Sequence, residues 1–237
     1  MSLPVAILAG GLATRLRPIT ENIPKALVDV AGKPFVMHQL EYMKKQKVTN
    51  VVLCLGFLGE QVEAVIGNGS SFGLNVCYSW DGPTMLGTGG CLKKALPLLG
   101  EHFFVYYGDT YLPINFQTVA YDFLTCKKPA LMTVLKNDDQ WDKSNVYFQN
   151  KVIIEYNKLT HRREMLYIDY GLSILSASVL LEQPDKIPLD LSDIFHKLSI
   201  QGLLAGHEVY ERFYEVGSHK GLEETIEYFE GSTTNCK

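Results

Sequence analysis

The chain lacks the features that would assign it to a membrane or to nucleic acid. No apolar run in its 237 residues approaches the roughly 20 that cross a bilayer, and its start shows no signal-peptide pattern. The formal net charge of -4 leaves no basic excess, so any anion must be bound by a few converging cations. We therefore expect a cytoplasmic protein with neither a nucleic-acid nor a membrane partner; the sequence leaves the oligomeric state open, a homo-oligomer included.

The chain also lacks paired cysteine motifs. Its 5 cysteines are odd in number and scattered, and none shows the C-x-x-C spacing. Four of them lie within or beside apolar segments, as small core residues do. We expect reduced thiols and no disulfide framework or structural metal site. The cysteines are Cys54, Cys77, Cys91, Cys126 and Cys236.

Two familiar phosphate-binding motifs are missing near the N-terminus. A dinucleotide-binding G-x-G-x-x-G needs a third glycine, and a Walker loop needs Lys-Ser or Lys-Thr after its glycines. Instead, an apolar run at 5–8, predicted as a buried strand, is cut off by Gly10 and Gly11. Paired glycines leave room for an anion to approach backbone N–H groups, and Arg15 and Lys25 follow closely with positive charge. This layout favours phosphate binding.

A lone Gly-Gly is more often a tight turn, and a lone arginine a solvated side chain. The full string is more specific: Gly-Gly-x-x-Thr-Arg, then Pro18, then Pro24-Lys25. It resembles the sugar-nucleotide pyrophosphorylases, which join a nucleoside triphosphate to a sugar 1-phosphate. The resemblance implies that the glycine loop and Arg15 wrap the triphosphate and that Lys25 contacts its phosphates. The implied nucleotide-binding residues of this segment are Leu8, Ala9, Gly10, Gly11 and Thr14.

Strands and helices alternate behind this loop. Residues 51–55 and 74–80 are predicted as strands, and the apolar spacing of Val36, Leu40 and Met43 predicts a helix. Such alternation is typical of a parallel sheet whose ligands lie beyond the carboxyl ends of the strands. We predict an α/β fold, a Rossmann-like and mostly parallel sheet flanked by helices, which the resemblance makes GT-A-like. One nucleotidyltransferase domain is expected over 1–231, with a flexible tail over 232–237.

A second glycine-rich segment, 81–90, precedes a predicted helix. Glycines at a helix N-terminus admit a close ligand, although a flexible loop is the more usual interpretation. The family has a similar Leu-Gly-Thr-Gly-Gly string that lines the pocket for the base and ribose. The resemblance therefore implies that Gly87, Thr88 and Gly89 contact the nucleotide.

Asp109 follows a predicted buried strand at 103–107, at the same sheet edge as the glycine loop. An isolated Gly-Asp is often only an Asx turn. A carboxylate facing a triphosphate loop, however, is well placed to hold Mg²⁺, which prefers oxygen ligands. The family likewise places its catalytic Mg²⁺ on a Gly-Asp at this point. Catalytic roles are thus expected for Arg15, Lys25 and Asp109, with Mg²⁺ as cofactor.

The second half of the chain resembles the family less closely. Residues 146–148 and 152–156 are predicted as a β-hairpin, and its end resembles a Glu-Lys element that binds the sugar and its phosphate. Here two residues separate Glu155 from Lys158, where the family has an adjacent pair; a solvated lysine is the alternative. Asp169 and Gly171 occupy a strand that matches the sugar-binding strand, although Asp169 departs from the usual pattern; the alternative is an aspartate paired with a nearby cation.

Glu215 stands where the family usually has the aspartate that is the second Mg²⁺ ligand. Glutamate keeps the charge but is one methylene longer, so the metal geometry would shift or include a bridging water. Glu215 and Asp109 are therefore the two expected metal ligands.

The expected reaction is nucleotidyl transfer from a nucleoside triphosphate to a sugar 1-phosphate. The Leu-Gly-Thr-Gly-Gly and Gly-Asp-Thr-Tyr strings resemble heptose and mannose 1-phosphate guanylyltransferases, and no glutamine typical of thymidylyl and uridylyl members occurs between Trp80 and Lys93. GTP is favoured; cytidylyl or uridylyl transfer to another phosphorylated acceptor, and a non-catalytic nucleotide-sugar sensor, remain alternatives. The missing third glycine argues against a nicotinamide-dependent dehydrogenase.

Overall fold

The fold is built on a nine-stranded mixed sheet, seen in a computed structural model that describes residues 2–137, 139–185 and 187–234. Its strands, with those of two small two-stranded sheets, are β1 (Val5–Leu8), β2 (Asp29–Val30), β3 (Lys33–Pro34), β4 (Asn50–Leu55), β5 (Asn75–Trp80), β6 (His102–Tyr107), β7 (Thr110–Tyr111), β8 (Ala130–Lys136), β9 (Val146–Gln149), β10 (Val152–Tyr156), β11 (Tyr167–Ser176), β12 (Leu204–Val209) and β13 (Tyr214–Glu215).

Helices cover both faces of the large sheet. They are α1 (Phe35–Lys45), α2 (Gly59–Ile66), α3 (Thr88–Leu99), α4 (Phe116–Cys126), α5 (Ala177–Leu181), α6 (Leu191–Ile200) and α7 (His219–Thr234), with 3₁₀ turns at Thr14–Leu16, Lys25–Leu27 and Ser70–Phe72. None of the helices within the described ranges is both long and apolar enough to cross a membrane.

The strand order is β5-β4-β1-β6-β11-β8-β12-β10-β9. The first four run parallel, with Leu8 of β1 beside Cys54 of β4 and Tyr107 of β6. Beyond β6 the sheet is mixed, because β11 is antiparallel to both β6 and β8 whereas β12 is parallel to β8. The α/β class with flanking helices is confirmed, as is the predicted hairpin, formed by β9 and β10. The carboxyl ends of β1, β4 and β6 therefore meet at one edge.

The alternation of side chains along β1 separates two cores. Val5 and Ile7 pack on one face with α1, α2 and α4, while Ala6 packs on the other face with α3, α5 and α6. Burying both faces of a parallel sheet requires near-continuous apolar strands, which explains why these segments were recognisable from the sequence.

A third, smaller core joins α7 to the N-terminal loop. Leu16, Val28 and Phe35 are buried here with Val216 and Leu222. The contact brings the chain around residue 215 back to the glycine loop at the other end of the sequence. Helix α7 runs to Thr234, into the segment predicted as a tail, and residues 235–237 with Cys236 lie outside the described residues. The cysteines Cys54, Cys77, Cys91 and Cys126 are free thiols.

Candidate active site

Two neighbouring cavities open where β1, β4 and β6 end, and Tyr107 and Asp109 line both. The first has a volume of 200 Å³ and is lined by Leu8, Ala9, Gly10, Gly11, Lys25, Ala26, Cys54, Asp81, Met85, Gly87, Thr88, Cys91, Tyr107, Gly108 and Asp109. The second has a volume of 390 Å³ and is lined by Arg15, Tyr107, Asp109, Thr110, Trp141, Asp142, Asn145, Lys158, Ile168, Asp169, Tyr170, Gly171, Phe213 and Glu215.

An ion pair stands at the junction of the two cavities. Lys25 Nζ lies 3.0 Å from Asp109 Oδ2, and both side chains are partly exposed to the cavities. Gly108 lets Asp109 come this close to the glycine loop, because its N–H donates to Leu8 O and a Cβ on it would lie only 2.6 Å from that oxygen. The structure thus brings together two residues predicted to be catalytic.

The two glycines of the N-terminal loop have different surroundings. A Cβ on Gly10 would lie 3.1 Å from the backbone nitrogen of Gly56, so Gly10 is needed where the ends of β1 and β4 meet. A Cβ on Gly11 would meet nothing within 4 Å. Packing therefore explains Gly10, whereas at Gly11 the missing side chain leaves open space at the wall of the first cavity.

Arg15 lies at the second cavity rather than the first. Ala13 takes a left-handed conformation with φ 50° and starts the 3₁₀ turn that carries Arg15 away from the glycine loop toward the start of α7. There the Arg15 guanidinium approaches Gly217, with Nη2 3.2 Å from the place of a Cβ on that glycine. Thr14, predicted to bind nucleotide, lines neither cavity.

The second glycine-rich segment packs against the chain around Leu189 and also forms part of the wall of the first cavity. A Cβ on Gly87, whose φ is +79°, would lie 2.5 Å from Leu189 O, and the Gly89 amide donates to the same oxygen. Thr88 Oγ1 donates to Asp190 Oδ1. Gly87 and Thr88 line the first cavity as predicted, but Gly89 does not, because it packs against Leu189.

Asp81 is a first-cavity residue that the sequence reasoning missed. It follows β5, and its N–H donates to Leu55 O, which fixes the backbone at the cavity wall. Burial raises the pKa of the Asp81 carboxyl above its usual value, whereas a hydrogen bond from the Leu86 backbone and the charge of Lys94 oppose that rise. Its position in the sequence indicates this role, because Asp81 directly follows a predicted strand and begins the second glycine-rich segment.

Cys54 and Cys91 also line the first cavity. A hydrogen bond with Cys91 and burial raise the pKa of the Cys54 thiol well above its usual value. A raised pKa keeps a thiol protonated and unreactive, in agreement with the expectation of reduced cysteines.

Lys158 and Asp169 both line the second cavity. Lys158 Nζ lies 5.5 Å from the centre of the Tyr107 ring and 5.9 Å from that of Tyr156. Burial raises the pKa of Asp169, although the Lys158 charge and hydrogen bonds from the Gly171 N–H and the Tyr156 hydroxyl act in the opposite direction. The cavity thus carries a lysine and a partly desolvated carboxylate.

Gly171 makes the turn of the chain that presents Asp169. The pairing of β11 with β8 shifts between Asp169 and Ser173, which marks a bulge, and Gly171 within it has φ +103°. A Cβ there would lie 3.3 Å from Thr110 Oγ1 at the wall of the cavity. Asp169 and Gly171, like Lys158, therefore line the second cavity as predicted.

Glu155 lies elsewhere. Its carboxylate is almost fully buried, pairs with Arg162 Nε at 3.1 Å and accepts from Asn157 Nδ2 at 3.2 Å. It does not line either cavity, since the register shift in the hairpin after Ile153 directs it to Arg162. The sequence separation of Glu155 and Lys158, unlike the family's adjacent pair, was the sign of this difference.

Glu215 lines the second cavity but is already engaged. Its carboxylate accepts from the Gly217 N–H and, at 2.6 Å, from Ser218 Oγ, just before α7 begins. It is thereby directed at a helix N-terminus, which attracts negative charge. No group of three or more His, Cys, Asp or Glu suited to a metal occurs among the residues described.

The loop after β8 supplies residues of the second cavity that the sequence suggested only as a polar turn. Asn137 closes this loop by donating to Asp142 O at 2.7 Å and accepting from the Trp141 N–H at 3.1 Å. Asn145 Oδ1 accepts from the Asp169 N–H at 3.0 Å. Trp141, Asp142 and Asn145 are thereby held around the cavity, with the Arg212 guanidinium 4.3 Å from the Trp141 ring centre.

Residues 5–144 match the family model described as nucleotidyl transferase. The chain belongs to this family. The matched region contains the residues of the first cavity, among them Lys25, Asp81 and Asp109. Three residues of the second cavity, Lys158, Asp169 and Glu215, lie beyond it. The resemblance seen in the sequence is thereby confirmed.

Two relatives show the range of the family. The chain is 42% identical over 111 residues to the N-acetylmuramate alpha-1-phosphate uridylyltransferase of Neisseria meningitidis serogroup B, covering 46% of this chain and 48% of the relative. It is 30% identical over 174 residues to the D-glycero-alpha-D-manno-heptose 1-phosphate guanylyltransferase of Campylobacter jejuni, covering 73% and 76%. The match thus spans about half the length of the first relative and three quarters of the second.

Solved structures confirm the fold. A putative glucose-1-phosphate thymidylyltransferase from Bacillus anthracis superposes with a TM-score of 0.84 at 23% identity, covering 96% of this chain and 95% of that one. HddC from Yersinia pseudotuberculosis, complexed with GMP-PN, gives 0.81 at 24% identity and covers 96% and 99%. The nucleotidyltransferase fold therefore extends over nearly the whole chain.

Proposed function

We propose that this protein transfers a nucleotidyl group, with GTP as the favoured donor, to a sugar 1-phosphate of the heptose or mannose type, giving a nucleoside diphosphate sugar and pyrophosphate. The observation that carries the proposal is the Lys25–Asp109 pair, 3.0 Å apart at the junction of two cavities. A transfer between two anions needs two adjoining subsites with cationic charge where they meet.

The two cavities divide the substrates between them. The first, with the glycine loop and Thr88, takes the nucleoside triphosphate, and the second, with Lys158, takes the sugar 1-phosphate. A phosphate oxygen of the sugar phosphate attacks the α-phosphorus; the new P–O bond forms as the bond to the β-phosphate oxygen breaks, and pyrophosphate leaves. No general base is needed, because the attacking phosphate monoester is already ionised near neutral pH.

Catalysis in this scheme is positioning and charge stabilisation. The backbone N–H groups of Gly10 and Gly11 approach the triphosphate, Lys25 stabilises the transferring phosphate, and Lys158 anchors the incoming one. Arg15, on the second-cavity side, reaches the phosphates where the two substrates meet.

Mg²⁺ is the proposed cofactor. Asp109 fits as a ligand, since Oδ2 is held by Lys25 and Oδ1 accepts no hydrogen bond from the described residues. A bound divalent cation would neutralise charge on the phosphate oxygens. Glu215 fits less well, because both of its oxygens accept hydrogen bonds at the start of α7. We expect it to orient Arg15 and α7, or to reach the ion through water.

Asp81 supports guanine as the base. A carboxylate is an acceptor with two oxygens, and the adjacent N1–H and N2–H donors of guanine fit both of them. Uracil and thymine offer one N–H between two carbonyl oxygens. A carboxylate that accepts from this N–H would be repelled by the carbonyl oxygens beside it. Cytidylyl or uridylyl transfer to another phosphorylated acceptor is the alternative activity, and the uridylyltransferase of Neisseria keeps it open.

Pyrophosphate release tests the proposal. With Mg²⁺ present, GTP, CTP, UTP, dTTP and ATP are each paired with hexose and heptose 1-phosphates. GTP with a heptose or mannose 1-phosphate is expected to release pyrophosphate fastest. Pyrophosphate release with a nucleotide other than GTP alone would contradict the assignment of guanine as the base. No release from any pair, with nucleotide still bound, would favour the non-catalytic sensor.

A further inference from the structure

Gln39 is a polar residue at a core position of α1. Its side chain is only 1% exposed, and the other buried positions of this helix carry Phe35, Val36, Leu40 and Met43. The Oε1 of Gln39 is buried and accepts no hydrogen bond from the described residues. Leucine or methionine would fill the same space without a polar group to desolvate. The amide therefore has a role that packing does not explain.

The Gln39 amide holds the turn that carries Asp109. Its Nε2 donates to Thr110 O at 2.7 Å, across 71 residues of sequence. Asp109 directly precedes Thr110, and Asp109 O accepts from the Val216 N–H at 2.8 Å. The turn is thus bonded both to α1 and to the chain just after β13.

The strand that follows Asp109 lies outside the nine-stranded sheet. Thr110 and Tyr111 form β7, which pairs with β13 in a separate ribbon of two strands, each of two residues. A two-stranded ribbon is marginally stable by itself. A contact that fixes Thr110 therefore also limits how far the adjacent Asp109 can move from Lys25.

We propose that Gln39 is a positioning residue of the active site, which holds Thr110 O and thereby keeps the Asp109 carboxylate beside Lys25. This rests on the proposed function, in which Asp109 takes part in nucleotidyl transfer. Gln39 lines neither cavity, so it acts through Asp109 and not on a substrate. Its effect is on turnover, because a small displacement of a group that must be aligned with the reacting atoms lowers the rate steeply.

Gln39→Met tests this role, with Tyr42→Phe as its matched control. Methionine keeps the unbranched shape of glutamine and removes the donor to Thr110 O. Tyr42 lies one turn further along α1, and its hydroxyl donates to Ile114 O at 3.0 Å; neither residue lines an active-site cavity. Each variant loses one hydrogen bond between α1 and the chain at 109–114, but only that of Gln39 lies beside Asp109.

The two variants should differ in kcat. Gln39→Met is expected to lower kcat roughly tenfold and to change the KM for the nucleotide by less than about twofold, whereas Tyr42→Phe should leave both unchanged. Gln39→Leu, a second apolar variant, should behave as Gln39→Met does. Normal kcat in either folded Gln39 variant would overturn the inference.

A double-mutant cycle shows whether Gln39 acts through Asp109. In the Asp109→Ala background, Gln39→Met should lower the remaining kcat by less than about twofold, because the carboxylate that it positions is gone. The same roughly tenfold loss in both backgrounds would overturn the inference and indicate a general effect on the fold.

Hydrogen exchange at the Val216 amide provides a measurement that needs no turnover. Because this N–H donates to Asp109 O, release of the turn in Gln39→Met should speed its exchange roughly tenfold relative to the amides of β4, and Tyr42→Phe should not. Absence of pyrophosphate release from the wild-type protein would contradict the proposed function, and faster exchange in Gln39→Met would still support the anchoring role. Exchange at the wild-type rate in folded Gln39→Met would overturn the inference whatever the turnover.

Discussion

Lys25 and Asp109, separated by 84 residues in the chain, meet at 3.0 Å between the two cavities. Lys25→Ala is expected to lower kcat by roughly 10²-fold or more, because it removes one preorganised electrostatic stabiliser. Asp109→Ala should have an effect of similar size. Steady-state pyrophosphate release measures both.

Lys33 provides the control for this experiment. Its Nζ forms a shorter ion pair with Glu41, at 2.7 Å, away from both active-site cavities. Lys33→Ala should leave kcat unchanged and alter stability by less than about 1 kcal/mol, as exposed pairs do. Near-normal turnover of well-folded Lys25→Ala would contradict the role of the central pair.

Gly11, in the N-terminal loop, and Gly56, which follows β4, should respond differently to alanine. Gly11→Ala adds a Cβ in open space, so its thermal midpoint should stay unchanged while KM for the nucleotide rises about tenfold. Gly56→Ala places a Cβ 2.7 Å from Gly10 O and should cost about 1–3 kcal/mol of stability. Thermal unfolding and nucleotide titration distinguish the two; a destabilised Gly11→Ala with unchanged KM would show a structural role instead.

Two roles of Glu215 can be distinguished by mutation: a ligand of the metal ion and a hydrogen-bond acceptor that stabilises the start of α7. Because its carboxylate accepts from Gly217 and Ser218, Glu215→Ala should destabilise the fold by about 1 kcal/mol, as the loss of a helix cap does. Excess Mg²⁺ should not restore its activity. Rescue by Mg²⁺ with unchanged stability would instead identify a direct ligand. Glu227→Ala, on the exposed side of α7, serves as the control.

Asp169 should make stability depend on pH. Burial raises its pKa in the folded protein, so the ionised side chain costs stability at pH values above that pKa and the cost disappears as the pH falls below it. Asp169→Asn is expected to raise the thermal midpoint at pH 8, to lose this advantage at acidic pH, and to lower kcat/KM for the sugar phosphate. A gain that persists unchanged at low pH would show that desolvation of the charge is not its cause.

Asp81 can be tested by exchanging hydrogen-bond partners. Asp81→Asn presents an N–H donor to the base, so kcat/KM for GTP should fall roughly 100-fold while that for xanthosine triphosphate, which has a carbonyl at C2, rises. The wild-type protein should prefer GTP over inosine triphosphate about tenfold, since inosine lacks the N2–H donor. Unchanged preferences in the variant would remove Asp81 from the base pocket.

The parallel half of the sheet could be predicted because its signals are local. Buried strands such as 5–8 and 103–107 are continuous apolar runs, and the carboxyl ends of parallel strands meet at one edge, which placed Asp109 beside the glycine loop. The short helix α5 was missed, because five residues after a strand show no helical period.

The parts of the site that were not predicted depend on distant contacts. Nothing near Gly89 indicates that Leu189, 100 residues on, packs against it, so its glycine was assigned to the ligand alone. Glu155 matched the sugar-binding element by type, but a register shift directs it to Arg162. Trp141 and Asp142 lie in a loop whose closure by Asn137 has no periodic pattern.

The most direct test of the account is to follow the phosphorus atoms of GTP during incubation with Mg²⁺ and heptose 1-phosphate or mannose 1-phosphate. Phosphorus NMR should show pyrophosphate and a new diphosphate diester appearing in equal amounts, and both should appear roughly 100-fold more slowly with Lys25→Ala. Release of inorganic phosphate from the γ position, or consumption of GTP without a sugar-containing diester, would contradict nucleotidyl transfer.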